Sequence, residues 1–354
     1  MSLGRVVPLF ILLVVGASAC ECRSSSEGTG WKAVDGGIVC EGGGLQHLAC
    51  TGLYGEGGKG WETKTVTGEV RAYEPGFQLW SDGLEKSRYV LLPPGTRVET
   101  SKPDEWRFPP GTKFWKEFRW QGRPIETRLL WKRPDGTWLR TTYRWSDDGK
   151  RATELTDGEK KVPDTGTPGH EIPSQTDCVA CHGGREDEVL GFEAVSLAHE
   201  SAKGLTLSKL VEEGLLSHPP EKAPKVPGTP LDQAALGYLH MNCGVSCHNT
   251  NPLALGGTSG LMLRLEAAEL GGVEQTDAWK TSVGVRSFFR TTGLFGDSVP
   301  RVAPGDVKRS TMLHRMNARG LPVQMPPLGT HVVDKEGVAR VQRWIESLPV
   351  PKEQ

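Results

Sequence analysis

The sequence has no surplus of charge of either sign: 42 lysines and arginines face 43 aspartates and glutamates in 354 residues. That balance removes the basic face that nucleic-acid binding needs, so no nucleic-acid partner is expected. No internal repeat is present, which argues against a solenoid or propeller. Beyond Cys20 no apolar run approaches the roughly 20 residues that span a bilayer. Hydrophobic content is modest at 36%, yet 11 tryptophans are enough to build cores under a polar surface. The length sets a prior of about two domains.

The one long apolar stretch is at the start. Arg5 precedes Val6 to Val15, and Gly16-Ala17-Ser18-Ala19 leads to Cys20. A basic residue, a short apolar run and a small-x-small end describe a signal peptide over residues 1–19, which predicts export. Ala17-Ser18-Ala19 fits ordinary cleavage. The same site fits a lipobox, which would place a lipid on Cys20 and anchor the protein to a membrane. Either way the expected location is the periplasm, the outer membrane or the cell surface. Residues 20–60 are rich in glycine and serine and read as a flexible tether.

Residues 61–162 change to strand character. Arg88 to Leu92, Lys113 to Trp120, Thr127 to Lys132 and Thr137 to Trp145 are β-rich runs closed by Gly, Pro or Asp. This spacing predicts an antiparallel, sandwich-like β domain with its aromatics in the core. Those tryptophans have an alternative role as the lining of a ligand groove. From residue 163 to 354 helical signals take over. Leu207, Leu210, Val211 and Leu215 repeat on one face, Thr229-Pro230 caps a second helix, and Val338, Val341, Ile345 and Leu348 mark a last one after Asp334.

Cys178-Val179-Ala180-Cys181-His182 is a C-x-x-C-H motif. Two thiols at this spacing form thioethers to the haem vinyl groups, and the adjacent histidine then ligates iron. Cys243-Gly244-Val245-Ser246-Cys247-His248 is the C-x-x-x-C-H variant. Its extra residue must bulge or alter the turn, which Gly244 can accommodate. The alternative for two Cys pairs is a Cys₄ zinc site, but such a site has no use for a histidine directly after each second cysteine. Met325 lies in a proline-bounded loop before the last helix, and is the expected distal ligand to the haem on His248. Met312 and Met316 read as helix packing. For the haem on His182 the distal ligand is open between His218, which precedes Pro219-Pro220 as Met325 precedes Pro326-Pro327, and His240. His199 is a third choice. Outside these motifs Cys22, Cys40 and Cys50 remain, and a Cys40–Cys50 disulfide is expected because its loop is short.

The expected fold is therefore multidomain α+β: the antiparallel β-sandwich-like domain, then a mainly α-helical cytochrome c-like domain over 163–354 with an insertion around 253–293. Several segments carry a resemblance. They are Ala49-Cys50-Thr51-Gly52-Leu53-Tyr54, Leu79-Trp80-Ser81-Asp82-Gly83, Pro94-Gly95-Thr96, Ile125-Glu126-Thr127-Arg128, Pro173-Ser174-Gln175, Leu239-His240-Met241-Asn242-Cys243 and Met325-Pro326-Pro327. Over residues 48 to 348 the chain resembles a family of secreted bacterial proteins, frequent in delta-proteobacteria, with a β domain before a two-haem region. The Leu-His-x-Asn-Cys string recurs in that family, which raises His240 to the level of His218. The resemblance and the motifs together imply two covalently attached haem c groups, electron transfer and redox protein partners. The alternatives are a haem enzyme such as a peroxidase with one open iron position, and a β domain that binds a partner with the haem region serving it.

Overall fold

The computed structural model describes residues 31–34, 37–40, 44–55, 60–166, 168–288 and 299–350. The expected signal peptide and Cys20 lie outside them. Strands β1 (Trp31–Val34) and β2 (Gly37–Cys40) form a hairpin. Cys40 is joined to Cys50 by a disulfide.

The centre of the fold is one seven-stranded antiparallel sheet. β3 (Arg71–Glu74), β4 (Glu85–Leu91), β5 (Lys113–Trp120), β6 (Arg123–Lys132), β7 (Trp138–Trp145) and β8 (Ala152–Glu154) follow one another as a meander. β9 (Glu159–Val162) and β10 (His170–Ile172) make a separate hairpin, and β11 (Lys203–Gly204) pairs with β3 at the sheet edge. Gln121 and Gly122, both at positive φ (49° and 77°), form the tight turn between β5 and β6. That geometry matches the twist of the flanking strands.

Alternation gives the sheet two buried faces. On one, Trp115, Leu129, Tyr143 and Trp145 pack against Leu48, Leu53, Tyr54 and Trp61. Trp61 stacks on Trp145 at 5.2 Å. On the other, Val90, Phe114 and Trp138 pack against Val189, Phe192, Leu197 and Leu210. A third core joins α4 (Pro230–Leu239), α6 (Thr311–Asn317) and α7 (Lys335–Ser347) to Phe77. Trp344 Nε1 ties α7 to Asp232 of α4 at 3.0 Å. At Gly337 of α7 a side chain would collide with the Tyr238 ring, so glycine is what lets these helices close up.

Three expectations need correction. The β region is mostly one large seven-stranded sheet with the β9–β10 hairpin beside it, not two sheets in a sandwich. The mainly α-helical cytochrome c-like domain is not present. Among the described residues α1 (Cys178–His182), α2 (Ala194–Ala198), α3 (Leu207–Glu212), α5 (Asp277–Ser282) and α6 are short, and even α7 has only 13 residues. Thr229 and Asp334 do cap helices as their sequence signals suggest. Pro219-Pro220, Pro224 and Pro227 break the pattern before Thr229, and many glycines break it between the two caps. Leu207 and Leu210 of α3 join α2 in the core on the sheet's second face, and Val211 stays exposed. Third, the tether ends well before residue 60, because Leu48 and Ala49 are fully buried with Leu53 in the sheet's core. The sheet also takes β11, and much of its second core, from beyond residue 163.

Candidate functional site

One cavity of about 360 Å³ lies between the sheet and the later half of the chain. Its wall includes Cys178, Cys181, Cys243 and Cys247, and also His182 and Met325. All four thiols are unpaired. The volume is within the ~300–1,000 Å³ of ordinary ligand pockets.

The first motif forms α1. Its approach is fixed by Ser174, whose Oγ donates to Asp177 at 2.7 Å. The helix ends at Gly183-Gly184, and a Cβ on Gly184 would collide with the carbonyl of Ser246. Glycine there lets the motifs touch, and Ser246 Oγ donates to Cys181 O at 2.8 Å.

The second motif leaves α4 through a π-helical turn, His240–Gly244. Val245 N bonds to His240 O at 2.8 Å and His248 N to Cys243 O at 2.8 Å, both across five residues. This wider turn absorbs the extra residue of C-x-x-x-C-H. Gly244 is held against the backbone of Leu263 and Arg264, where a side chain has no room.

The two motif histidines are presented alike. His182 Nδ1 bonds to Glu188 O at 2.6 Å, and His248 Nδ1 to Leu261 O at 3.1 Å. A hydrogen on Nδ1 given to a carbonyl leaves the Nε2 lone pair for a metal. Burial, reinforced by nearby Lys116, Arg128 and Arg140, outweighs the Glu188 bond and pushes His182 down to about 4. Burial also lowers His248, with Arg315 and Arg301 adding to it. The His248 ring follows Cys247 but is not part of the cavity wall.

Neither expected distal histidine of the first site is placed to ligate. His240 is fully buried. Its Nδ1 accepts from Leu265 N at 2.9 Å and its Nε2 faces Glu193 Oε1 at 3.2 Å, so both ring nitrogens are engaged. His218 is exposed, beside Ser217 and Glu99, and does not line the cavity. His199 packs on Phe77 at 4.5 Å, also away from it. Met316, read as packing, does reach the cavity wall from α6.

Met325 is carried on a pinned loop. Its N–H donates to Arg315 O at 3.0 Å. Downstream, Asp82 Oδ1 accepts from Thr330 Oγ1 at 2.6 Å, His331 N at 2.9 Å and Val332 N at 2.9 Å. Trp80 Nε1 donates to Val332 O at 2.9 Å, and Trp80 N donates to Asn242 Oδ1 at 2.7 Å. The segment Trp80 to Asp82 thus ties the Met325 loop to the residue before Cys243. Reasoning from sequence gave Trp80, Asp82 and Asn242 no role, although two of the family-like strings contain them.

The chemistry of the donor set narrows what the site can hold. Burial raises the Cys178 and Cys181 thiols and pushes Cys243 up to about 12. A reactive Cys-x-x-Cys redox pair needs the opposite shift. Among the described residues no group of three or more His, Cys, Asp or Glu is arranged to hold a metal ion, so the thiols form no zinc cage. Haem fits better: paired thiols stand at the wall of an apolar cavity, each pair followed by an imidazole with its Nε2 free. No protein-family model, curated protein or solved structure matches the chain.

Proposed function

We propose that this chain is an exported two-haem c-type cytochrome that passes electrons to and from redox protein partners, held at a membrane where Cys20 is lipidated. The observation that carries the reading is that the cysteines of both haem-attachment motifs line one cavity and that the motifs touch through Ser246 and Cys181. Haem supplies one-electron chemistry when bound. The chain's own part is to hold two such groups side by side and dry. Cys178 and Cys181 attach the first, with His182 as ligand. Cys243 and Cys247 attach the second, with His248 and Met325 as ligands. The family-like strings of the sequence point the same way. Covalent attachment requires only the local motif and a cavity, so it does not depend on a cytochrome c fold.

A second reading is a haem enzyme working at the first site. It is favoured by one observation: His240 and His218 are both committed elsewhere. An iron lacking a strong distal ligand is what peroxide or oxygen chemistry requires.

The test is full-length chain produced with periplasmic haem maturation. A pyridine haemochrome assay should count two covalent haems, falling to one in Cys178→Ala/Cys181→Ala. A chain without covalent haem overturns the proposal. Carbon monoxide then separates the readings. If the ferrous wild type does not bind it, electron transfer stands. Binding at one haem in the wild type that becomes binding at both in Met325→Ala places the open iron at the first site and moves that site to enzyme chemistry.

A further inference from the structure

The sheet face that looks into the cavity carries a line of cations. Arg88 on β4 pairs directly with Lys116 on β5, and Lys116 with Arg128 on β6. All three line the cavity, together with Arg140 of β7. Like charges set opposite one another on adjacent strands destabilise a sheet. Two of the four are neutralised within the fold: Arg128 grips buried Glu126, and Arg140 meets Glu188 at 3.0 Å.

Arg88 and Lys116 are not. Arg88 is 7% exposed. Among the described residues its guanidinium has no hydrogen bond and no ion pair. The Lys116 ammonium has none either, and lies 4.9 Å from the centre of the Phe118 ring. Burial acts on both cations to disfavour the charge; Glu74 acts on Arg88 and Glu126 on Lys116 against it, but neither carboxylate is in contact. A buried cation without an anion is costly, and two side by side more so. The cavity is where the missing anions belong.

Their position says which anion. The same cavity wall holds Cys178, Cys181 and His182, the whole attaching and ligating set of the first motif, whereas His248 of the second is not part of it. A haem attached at the first motif brings two carboxylates on one edge into this cavity. Guanidinium is built for a carboxylate, and an ammonium beside it supplies a second point charge.

We infer that Arg88 and Lys116 bind the propionate carboxylates of the haem carried by Cys178 and Cys181, an inference that rests on the haem reading above. The β-sheet then forms one wall of the cofactor site. Removing either cation should leave an unpaired propionate, which disfavours the reduced haem and lowers its potential.

The experiment uses the haem-loaded full chain with Arg88→Gln, Lys116→Met, the double variant and Arg88→Lys. Covalent haem should stay at two per chain. The potential of the first haem should fall in each single variant and further in the double, with that of the second haem unchanged. The propionate bending band in resonance Raman should move to lower frequency, and Arg88→Lys should restore part of the shift. A band and a potential that do not move would overturn the assignment. So would conversion of the first haem to high spin in Lys116→Met, which would make the amine an iron ligand. Saturable movement of the wild-type potential with added acetate would show that the cations hold a free anion instead. Failure of the haem reading is seen separately, as absence of covalent haem from the wild type, and removes the propionate as occupant.

Discussion

Glu193 gives the sharpest test of how the second motif is held. Its carboxylate caps α2, accepting from Val195 N at 2.8 Å and Ser196 N at 2.9 Å, and faces His240 at 3.2 Å. Burial alone would raise its pKa. The His240 ring and the bonds to α2 prevail and hold it at about 2, against an ordinary 4.5. The difference, at about 1.4 kcal/mol per pH unit, is about 3 kcal/mol. The sign follows from the depression. This stability is fully present above pH 4.5 and is lost as pH falls toward 2. Glu193→Gln should therefore cost about 3 kcal/mol at pH 7, and the gap to wild type should close between pH 4.5 and 2. Urea unfolding followed by far-ultraviolet circular dichroism, on both chains at pH 7, 5, 4 and 3, measures it. Glu126, also held near 2, is common to both chains and drops out of the difference. A gap that is the same at pH 3 as at pH 7 would refute the electrostatic argument.

Three further outcomes follow from the packing. Gly244→Ala should destabilise by about 1–3 kcal/mol, since a methyl group there meets backbone that has nowhere to go; the haem count should drop at the second motif alone. Asp82→Ala removes three donors' shared acceptor and should loosen the Met325 loop by about 3 kcal/mol, read as carbon monoxide binding at the second haem that wild type lacks. Trp61→Ala empties a buried, stacked position and should cost about 3–5 kcal/mol in thermal unfolding, with both haem spectra unchanged.

Much of the sheet was legible because its strands obey local rules. The β5 and β6 runs are β-branched or aromatic and end at turn residues, so their existence needed no tertiary information. The Cys40–Cys50 disulfide was legible by the same kind of locality. The single-sheet architecture was not. Alternation shows that a strand has two faces but not what covers each. Here the covers are Leu48, Leu53, Tyr54 and Trp61, from a stretch of sequence rich in glycine, and a half of the chain whose helices are short. Composition marked the first as a tether. The few apolar residues in it, Leu48, Leu53 and Tyr54, are the ones that dock, and an average over the segment hides them.

The attachment motifs were legible for a physical reason: thioether spacing and the adjacent histidine are set along the chain. The distal ligands are set across it, and there the sequence arguments diverge. Met325 and His218 each stand before a proline pair, and that likeness made them look equivalent. Met325 is drawn to the cavity because Asp82 and Trp80 pin the loop that follows it. His218 is held at the surface because Thr100 and Ser217 bond its backbone and ring. His240 shares a recurrent string with Cys243, yet its ring serves the fold, joining Leu265 to Glu193 across the start of the π turn. A recurrent residue beside a cofactor motif can therefore owe its place to positioning the motif. Lys116 and Arg88 make the converse case. In sequence they are ordinary strand cations, to be expected on a solvated face. Only the strand register sets them opposite each other, and only the burial of that face turns a pair of surface charges into a demand for an anion.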